Sequence, residues 1–248
     1  MSEIHIVQLY PDELGVAGDR GNVLALAARL TRAGMTPSVM GIHVGDALPA
    51  SADIVVVGGG PVSAMRGVHA DILTKADTLR SWAGDGVVFF AYGSGAELLG
   101  HHVDIAEGER FEGLGIFPFS ARRVAVRRVG YVVAEAGGHT IVGFEDNASV
   151  WALDAGAPPF ARVTTSSAVA SSGSTTMTEG VRAGASIATL LGGPLLPLNP
   201  SITDELLAAA TRHRGVDFVR PAPDDLDLYA ERARAVMVQN ARHVFSRI

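Results

Sequence analysis

Short apolar runs, each about the length of a strand, alternate with amphipathic stretches through the first hundred residues. Ile4–Leu9 (IHIVQL), Ser38–His43, Asp53–Val57 (DIVVV) and Val87–Ala91 are strand candidates. Between them, Val23–Gly34 (VLALAARLTRAG) predicts a helix that Asn22 would cap and Gly34 would end. Asp71–Trp82 predicts another. Strands alternating with helices at this spacing indicate a parallel sheet covered by helices on both faces. Such sheets place their sites at the carboxyl ends of the strands. Two glycine-rich turns lie at such ends. Gly58-Gly59-Gly60 follows the DIVVV run, and Tyr92-Gly93-Ser94-Gly95 links the Val87–Ala91 run to a helix beginning at Ala96. Strand, tight turn and helix together make the shape of a nucleophile elbow. The apex residue here is Gly93, which has no side chain.

The pattern changes after the elbow. Phe111–Phe117, Arg122–Ala134 and Thr140–Phe144 are short, turn-separated strand candidates and are expected to be antiparallel. Val163–Thr178 is rich in Ser, Thr and small residues and predicts a strand plus a mobile loop. Ala185–Leu191 is a further strand candidate. Thr203–His213 predicts a helix capped by Thr203 or Ser201. Asp224–Arg247 predicts a long final helix with acids at its start and Arg242, His243 and Arg247 near its end, matching the helix dipole. There is no internal repeat and no interdomain linker, so residues 1–248 read as one domain. The expected fold is a three-layer α/β sandwich with a flavodoxin-like, mostly parallel sheet and some antiparallel strands.

Composition narrows the chemistry. The 248 residues hold no cysteine, which excludes disulfides, thiolate metal sites and a cysteine nucleophile. Eight histidines are scattered without metal-binding spacing, so no metal site is expected. A net charge of −6 without a basic stripe argues against a nucleic-acid partner. No apolar run is long enough to span a bilayer, and MSEIHIVQLYPDELG carries no signal-peptide pattern. A cytoplasmic location is expected.

The order of motifs is informative where single motifs are weak. AGDRGN (Ala17–Asn22), GGG (Gly58–Gly60), ELLG (Glu97–Gly100), EGLGIF (Glu112–Phe117), GFE (Gly143–Glu145), EG (Glu179–Gly180) and GPLLPLNP (Gly193–Pro200) follow one another along nearly the whole chain. This series resembles the class I glutamine amidotransferases of the cobyric-acid-synthase-like branch, in particular the GatD-like subunits that work with a MurT-like Mur ligase. In that family the elbow reads I-C-G-G-Y-Q-L-L-G and the late motif L-H-G-P-L-L-P. The resemblance puts the nucleophilic cysteine on Gly93 and its histidine on Gly192. It puts the glutamine-binding arginine on Arg127, within the R-x-x-G of Arg127–Gly130. The family's G-F-E-N-H is GFEDN here (Gly143–Asn147), and its G-x-G-N-N loop is replaced by the Ser/Thr-rich stretch. The resemblance implies a heterodimer with a MurT-like ligase that amidates the D-glutamate α-carboxyl of the lipid II stem peptide. It implies no cofactor in this chain, with ATP and magnesium on the partner ligase.

Amide hydrolysis through a covalent intermediate needs a nucleophile and a base within hydrogen-bond reach, and glycine supplies neither. Losing such a unit costs on the order of 10⁶-fold, and surviving backbone donors recover only about 10³–10⁴ over water. Those donors would be the amides near Gly59 and of Ser94, set as an oxyanion hole. The expectation is therefore a pseudo-glutaminase. Two other classes remain open: a regulatory module holding an amino acid through Arg127, and a hydrolase using Ser94. Against the latter, Ser94 lies one residue past the apex and equally suits a helix cap. Arg127 equally suits a solvated strand face beside Arg122, Arg123 and Arg128. Gly58–Gly60 lacks the G-K-[ST] of a phosphate loop and reads as a tight turn. Asp19 and Arg20 read as a local ion pair, Trp82 and Trp151 as packing residues, and Glu145 as either a cleft group or a strand-end cap.

Overall fold

Alternate residues of the buried strands face opposite ways, and this sets the architecture. The computed structural model describes residues 2–16, 18–105, 108–167 and 178–241. A six-stranded sheet holds β1 (Glu3–Leu9), β2 (Thr36–Ile42), β3 (Ile54–Val57), β4 (Val88–Tyr92), β11 (Val181–Ala183) and β12 (Ser186–Thr189). Its order is β11-β12-β4-β3-β1-β2, and only β11 runs antiparallel to its neighbour. Val55, Val57, Phe89 and Ala91 point to one face, where α2 (Val62–Thr74) and α3 (Ala76–Asp85) cover them. Ile54, Val56, Val88 and Phe90 point to the other, under α1 (Asp19–Arg32) and α6 (Pro200–His213). Strands buried on both faces read as continuous apolar runs for this reason.

The second sheet is built on two long strands, where the sequence suggested several short ones. They are β7 (Phe119–Ala136) and β8 (His139–Leu153), joined through the left-handed Gly137 and Gly138. Their antiparallel register breaks between Arg123 and Arg128. That irregularity interrupts the period-2 pattern and hides the strand length from a sequence reading. β5 (His102–Asp104) pairs with the first part of β7, and β9 (Ala161–Ser166) with its last part. β6 (Arg110–Glu112), β10 (Thr178–Glu179) and β13 (Leu191–Gly192) complete the sheet. Phe111–Phe117 is a strand only over Arg110–Glu112. Of the Val163–Thr178 stretch, residues 168–177 lie outside the described residues, as do Arg242, His243 and Arg247.

Two helical expectations change. The helix expected over Asp71–Trp82 is a pair, α2 beginning after Pro61 and α3 beginning after Lys75. Lys75 is buried, pairs with Asp71 and lies 6.0 Å from the Tyr10 ring centroid. Neither Thr203 nor Ser201 caps α6: Asn199 precedes it without a side-chain cap, and the Thr203 hydroxyl donates to the Leu196 carbonyl at 2.9 Å.

The last helix, α7 (Asp225–Asn240), buries little apolar surface. Asp224 caps it in a reciprocal capping box with Asp227. Charge fixes it to the body. Arg29, 5% exposed, reaches Asp204 of α6 at 2.5 Å and Asp227 of α7 at 2.6 Å. Arg32 adds Asp224 at 2.9 Å and Asp227 at 2.7 Å. Burial by itself raises the Asp227 pKa, but hydrogen bonds from Arg32, the Asp224 backbone and Arg29 outweigh it and leave the carboxyl below its ordinary value. A depressed carboxyl stabilises the fold above its unfolded pKa, near 3.9, and loses that contribution as pH falls through the folded value. Arg29→Ala removes the buried cation shared by Asp204 and Asp227 but leaves Arg220 on the first and Arg32 on the second, so we expect a loss of about 1–3 kcal/mol in urea unfolding at neutral pH, narrowing on acidification.

Candidate functional site

The carboxyl ends of β1, β3, β4 and β12 meet in one crevice, and glycine lets their turns touch backbone to backbone. A methyl group on Gly58 would stand 2.0 Å from the Leu14 carbonyl oxygen, and one on Gly95 2.2 Å from the Gly58 oxygen. The Gly95 amide donates to that same Gly58 oxygen at 3.1 Å. The GGG turn and the elbow are thus one packed unit.

The elbow runs from β4 directly into α4 (Gly93–Leu99). Gly93 sits at its apex with φ 54, and the space where a side chain would project is open, with only the Gly59 Cα at 3.8 Å. The neighbouring Ser94 is 2% exposed and turned away from that space. Its hydroxyl accepts from the Gly60 amide at 2.7 Å and donates to the Gly60 carbonyl at 2.9 Å. It caps no helix. It fastens the elbow to the GGG turn. His101 pairs with Asp154 at 2.8 Å and His102 lies beside Ser120, so neither serves Ser94 as a base.

The oxyanion donor expected at Gly59 is already engaged. Its amide donates to Asp19 Oδ2 at 2.9 Å. α1 begins at Asp19, and that buried carboxylate takes up the Gly59 amide. Asp19 therefore reaches inward, while Arg20 is exposed. Asn22 also departs from its expected capping role: its Oδ1 accepts from the Leu196 amide at 2.9 Å and joins α1 to α5 (Leu195–Leu198).

Tyr92 fills the space beneath the apex. A methyl on Gly59 would approach its ring to 2.7 Å, and one on Gly192 would lie 2.8–2.9 Å from Cζ, Cε2 and the hydroxyl. The ring is thus wedged between those two glycines and is 7% exposed. Burial first, then the carboxylates of Asp19, Asp146 and Glu145, push the phenol pKa up against the opposing Arg127. The phenol stays protonated at any physiological pH.

Above Tyr92 lies a cavity of about 880 Å³, lined among others by Gly93, Phe144, Asn147 and Gly193. Arg127 lies on its rim in the irregular segment of β7. Its side chain is 59% exposed, and Nε donates to Asp146 Oδ1 at 2.5 Å. Arg123, also lining the cavity, donates to the buried Glu97 at 2.5 Å. Arg128 turns to the other side of β7 and pairs with Glu145 at 2.7 Å, where Asn147 also bonds. Glu145 is therefore a buried partner of Arg128 within β8 and caps no strand end. Trp82 is in the core, and Trp151 stacks on Phe119 at 4.1 Å. Among the described residues no group of His, Asp and Glu has the arrangement of a metal site.

The profile of the CobB/CobQ-like glutamine amidotransferase domain matches residues 5–197. The chain belongs to this family. It is 29% identical over 245 residues, 97% of each chain, to the lipid II isoglutaminyl synthase (glutamine-hydrolyzing) subunit GatD of Staphylococcus aureus strain N315. Solved structures agree on the fold. A glutamine amidotransferase is similar with TM-score 0.54 and 19% identity, over 85% of this chain and 99% of the other. The glutaminase domain of Trypanosoma brucei CTPS, solved with acivicin, is similar with TM-score 0.54 and 14% identity, over 90% and 98%.

One buried acid of this amidotransferase domain could not be assigned a role from sequence beyond its EG motif. Glu179 accepts from Thr189 Oγ1 at 3.0 Å and from the Leu190 amide at 2.6 Å, and Thr189 Oγ1 accepts from the Leu191 amide at 3.0 Å. The carboxyl thus anchors the segment that leaves β12 and crosses to β13, and so places Gly192 against Tyr92. Burial pushes its pKa up to about 8, against the hydrogen bonds that favour the charged form. A raised carboxyl stabilises the fold fully below its unfolded pKa and loses that contribution as pH rises toward the folded value. Wild-type denaturation midpoints should therefore fall from about pH 4.5 to about pH 8, and Glu179→Gln should remove most of that slope.

Proposed function

We propose that the chain is a GatD-like subunit of a complex that modifies the D-glutamate α-carboxyl of the lipid II stem peptide, and that it no longer hydrolyses glutamine. The partner is a MurT-like Mur ligase homologue that activates the carboxylate with ATP and magnesium. That ligase draws on free ammonia or another amine, and this subunit supplies the interface and an open cleft. The similarity to the Staphylococcus aureus subunit along 97% of both chains supports the lipid II role. One observation carries the loss of hydrolysis. Tyr92 occupies the ground into which a side chain at residue 192 would grow, so the absence of a nucleophile at 93 and of a base at 192 is matched by a filled base site. The tethered Ser94 hydroxyl supports the same reading. Together they leave the cleft without nucleophile or base.

The purified complex should release no glutamate from glutamine above background. Gly93→Cys should be alkylated readily, because space is open above the apex, yet stay inactive. Gly93→Cys with Gly192→His should also stay inactive while Tyr92 is present. Adding Tyr92→Ile should bring measurable glutaminase activity. Robust turnover by the wild type, abolished by Ser94→Ala, would overturn the reading in favour of a serine hydrolase. Arg127, exposed on the cavity rim, favours a second role in holding an amino acid carboxylate. Calorimetric binding of glutamine or a related amino acid, lost in Arg127→Ala, would establish it.

A further inference from the structure

The edge of the parallel sheet at β2 is built to be paired. β2 is terminal in the sheet order, and the chain goes from β2 to β3 through a loop (residues 43–53), so no crossover helix covers it. The Thr36 amide donates to the Ser2 carbonyl, and the Tyr10 amide to the Ile42 carbonyl. In a parallel ladder these bonds put the backbone groups of Thr36, Ser38, Met40 and Ile42 toward β1. Those of Pro37, Val39 and Gly41 then point outward. Pro37 has no amide to offer, and the His43 amide is taken by Asp46 Oδ2 at 2.9 Å. The open donors and acceptors are thus confined to a short window at Val39 and Gly41.

The window is apolar and uncharged. Val39 is 50% and Met40 47% exposed, and TPSVMGI contains no charged residue. Edge strands are ordinarily guarded by lysines, inward charges or a covering element. Here, among the described residues, Pro37 limits the edge at one end and the engaged His43 amide at the other. The window is also self-complementary. An antiparallel second strand of identical sequence puts Val39 opposite Gly41 of the other copy, and Gly41 opposite its Val39. Each outward amide then finds a carbonyl. The twofold axis passes between the two Met40 residues, a non-hydrogen-bonded pair whose side chains meet closely. Two copies of net charge −6 repel each other, and a seam without charged residues adds nothing to that repulsion.

We propose that two copies of this chain associate through β2, joining their parallel sheets into one continuous sheet across an antiparallel β2–β2 seam. This inference does not depend on the function proposed above. Sedimentation equilibrium of the full chain across the micromolar range should show a monomer–dimer equilibrium. Val39→Pro removes an outward amide without touching any bond to β1, and Met40→Lys sets two ammonium groups against each other at the twofold. Each should weaken the dimer on the order of tenfold or more, with thermal melting of the dilute monomer unchanged. Hydrogen exchange at the Val39 and Gly41 amides should slow as concentration rises. A monomer at every concentration would overturn the proposal, as would a dimer that both variants leave intact.

Discussion

The close approach of Gly58 to Gly95 is the contact on which the crevice depends. Two turns from neighbouring strands touch through backbone alone, with an amide–carbonyl bond of 3.1 Å across the seam. Any side chain at either position would stand about 2 Å from a carbonyl oxygen. Because the turns cannot separate, Ser94 is close enough to engage both backbone groups of Gly60, and Gly93 is held at the apex in a left-handed conformation. The elbow's shape therefore does not depend on what its apex residue does. A scaffold fixed by backbone contact keeps its form whatever residue stands at its apex, which is how the family frame is kept around Gly93 and Gly192.

Much of the parallel half was legible in the sequence, because a strand buried on both faces must be apolar throughout. DIVVV and the run before Tyr92 could be read at once, and the glycines after them marked the crevice. The second sheet was not legible to the same degree. β7 carries a register break at the arginine-rich stretch, so its alternation changes phase part-way and the strand reads as fragments. Lys75 was invisible as a helix boundary because its inward turn depends on Asp71 and Tyr10, the latter 65 positions upstream. Local rules see Asp71, four positions away, but not the ring of Tyr10.

The site was half legible for a similar reason. Gly93, Gly192, Ser94 and Arg127 could be located along the chain because they sit inside motifs. The contacts that decide their availability join distant segments: Asp19 with Gly59, Tyr92 with Gly192, and Arg127 with Asp146. Asp19 reads as half of a local ion pair with Arg20, and nothing local says that its carboxylate turns inward to an amide 40 positions away. Glu179 carried only the weak signal of a two-residue motif, although it anchors the crossing from β12 to β13.

If the glutaminase dyad has been lost as proposed, the wedged ring of Tyr92 bears on the history of the chain as well as on its chemistry. A residue that fills vacated space makes the vacancy stable, since it gains burial that a smaller residue would forgo. It also makes the way back uphill. A histidine arriving at residue 192 would first clash with the ring, and a cysteine arriving at residue 93 would find no base. Each reversion by itself brings cost or nothing, and only their combination with a smaller residue at 92 brings gain. On the reading offered for this subunit, the silent state is a ratchet: three positions must change together to leave it, and selection acting one substitution at a time has no path through them.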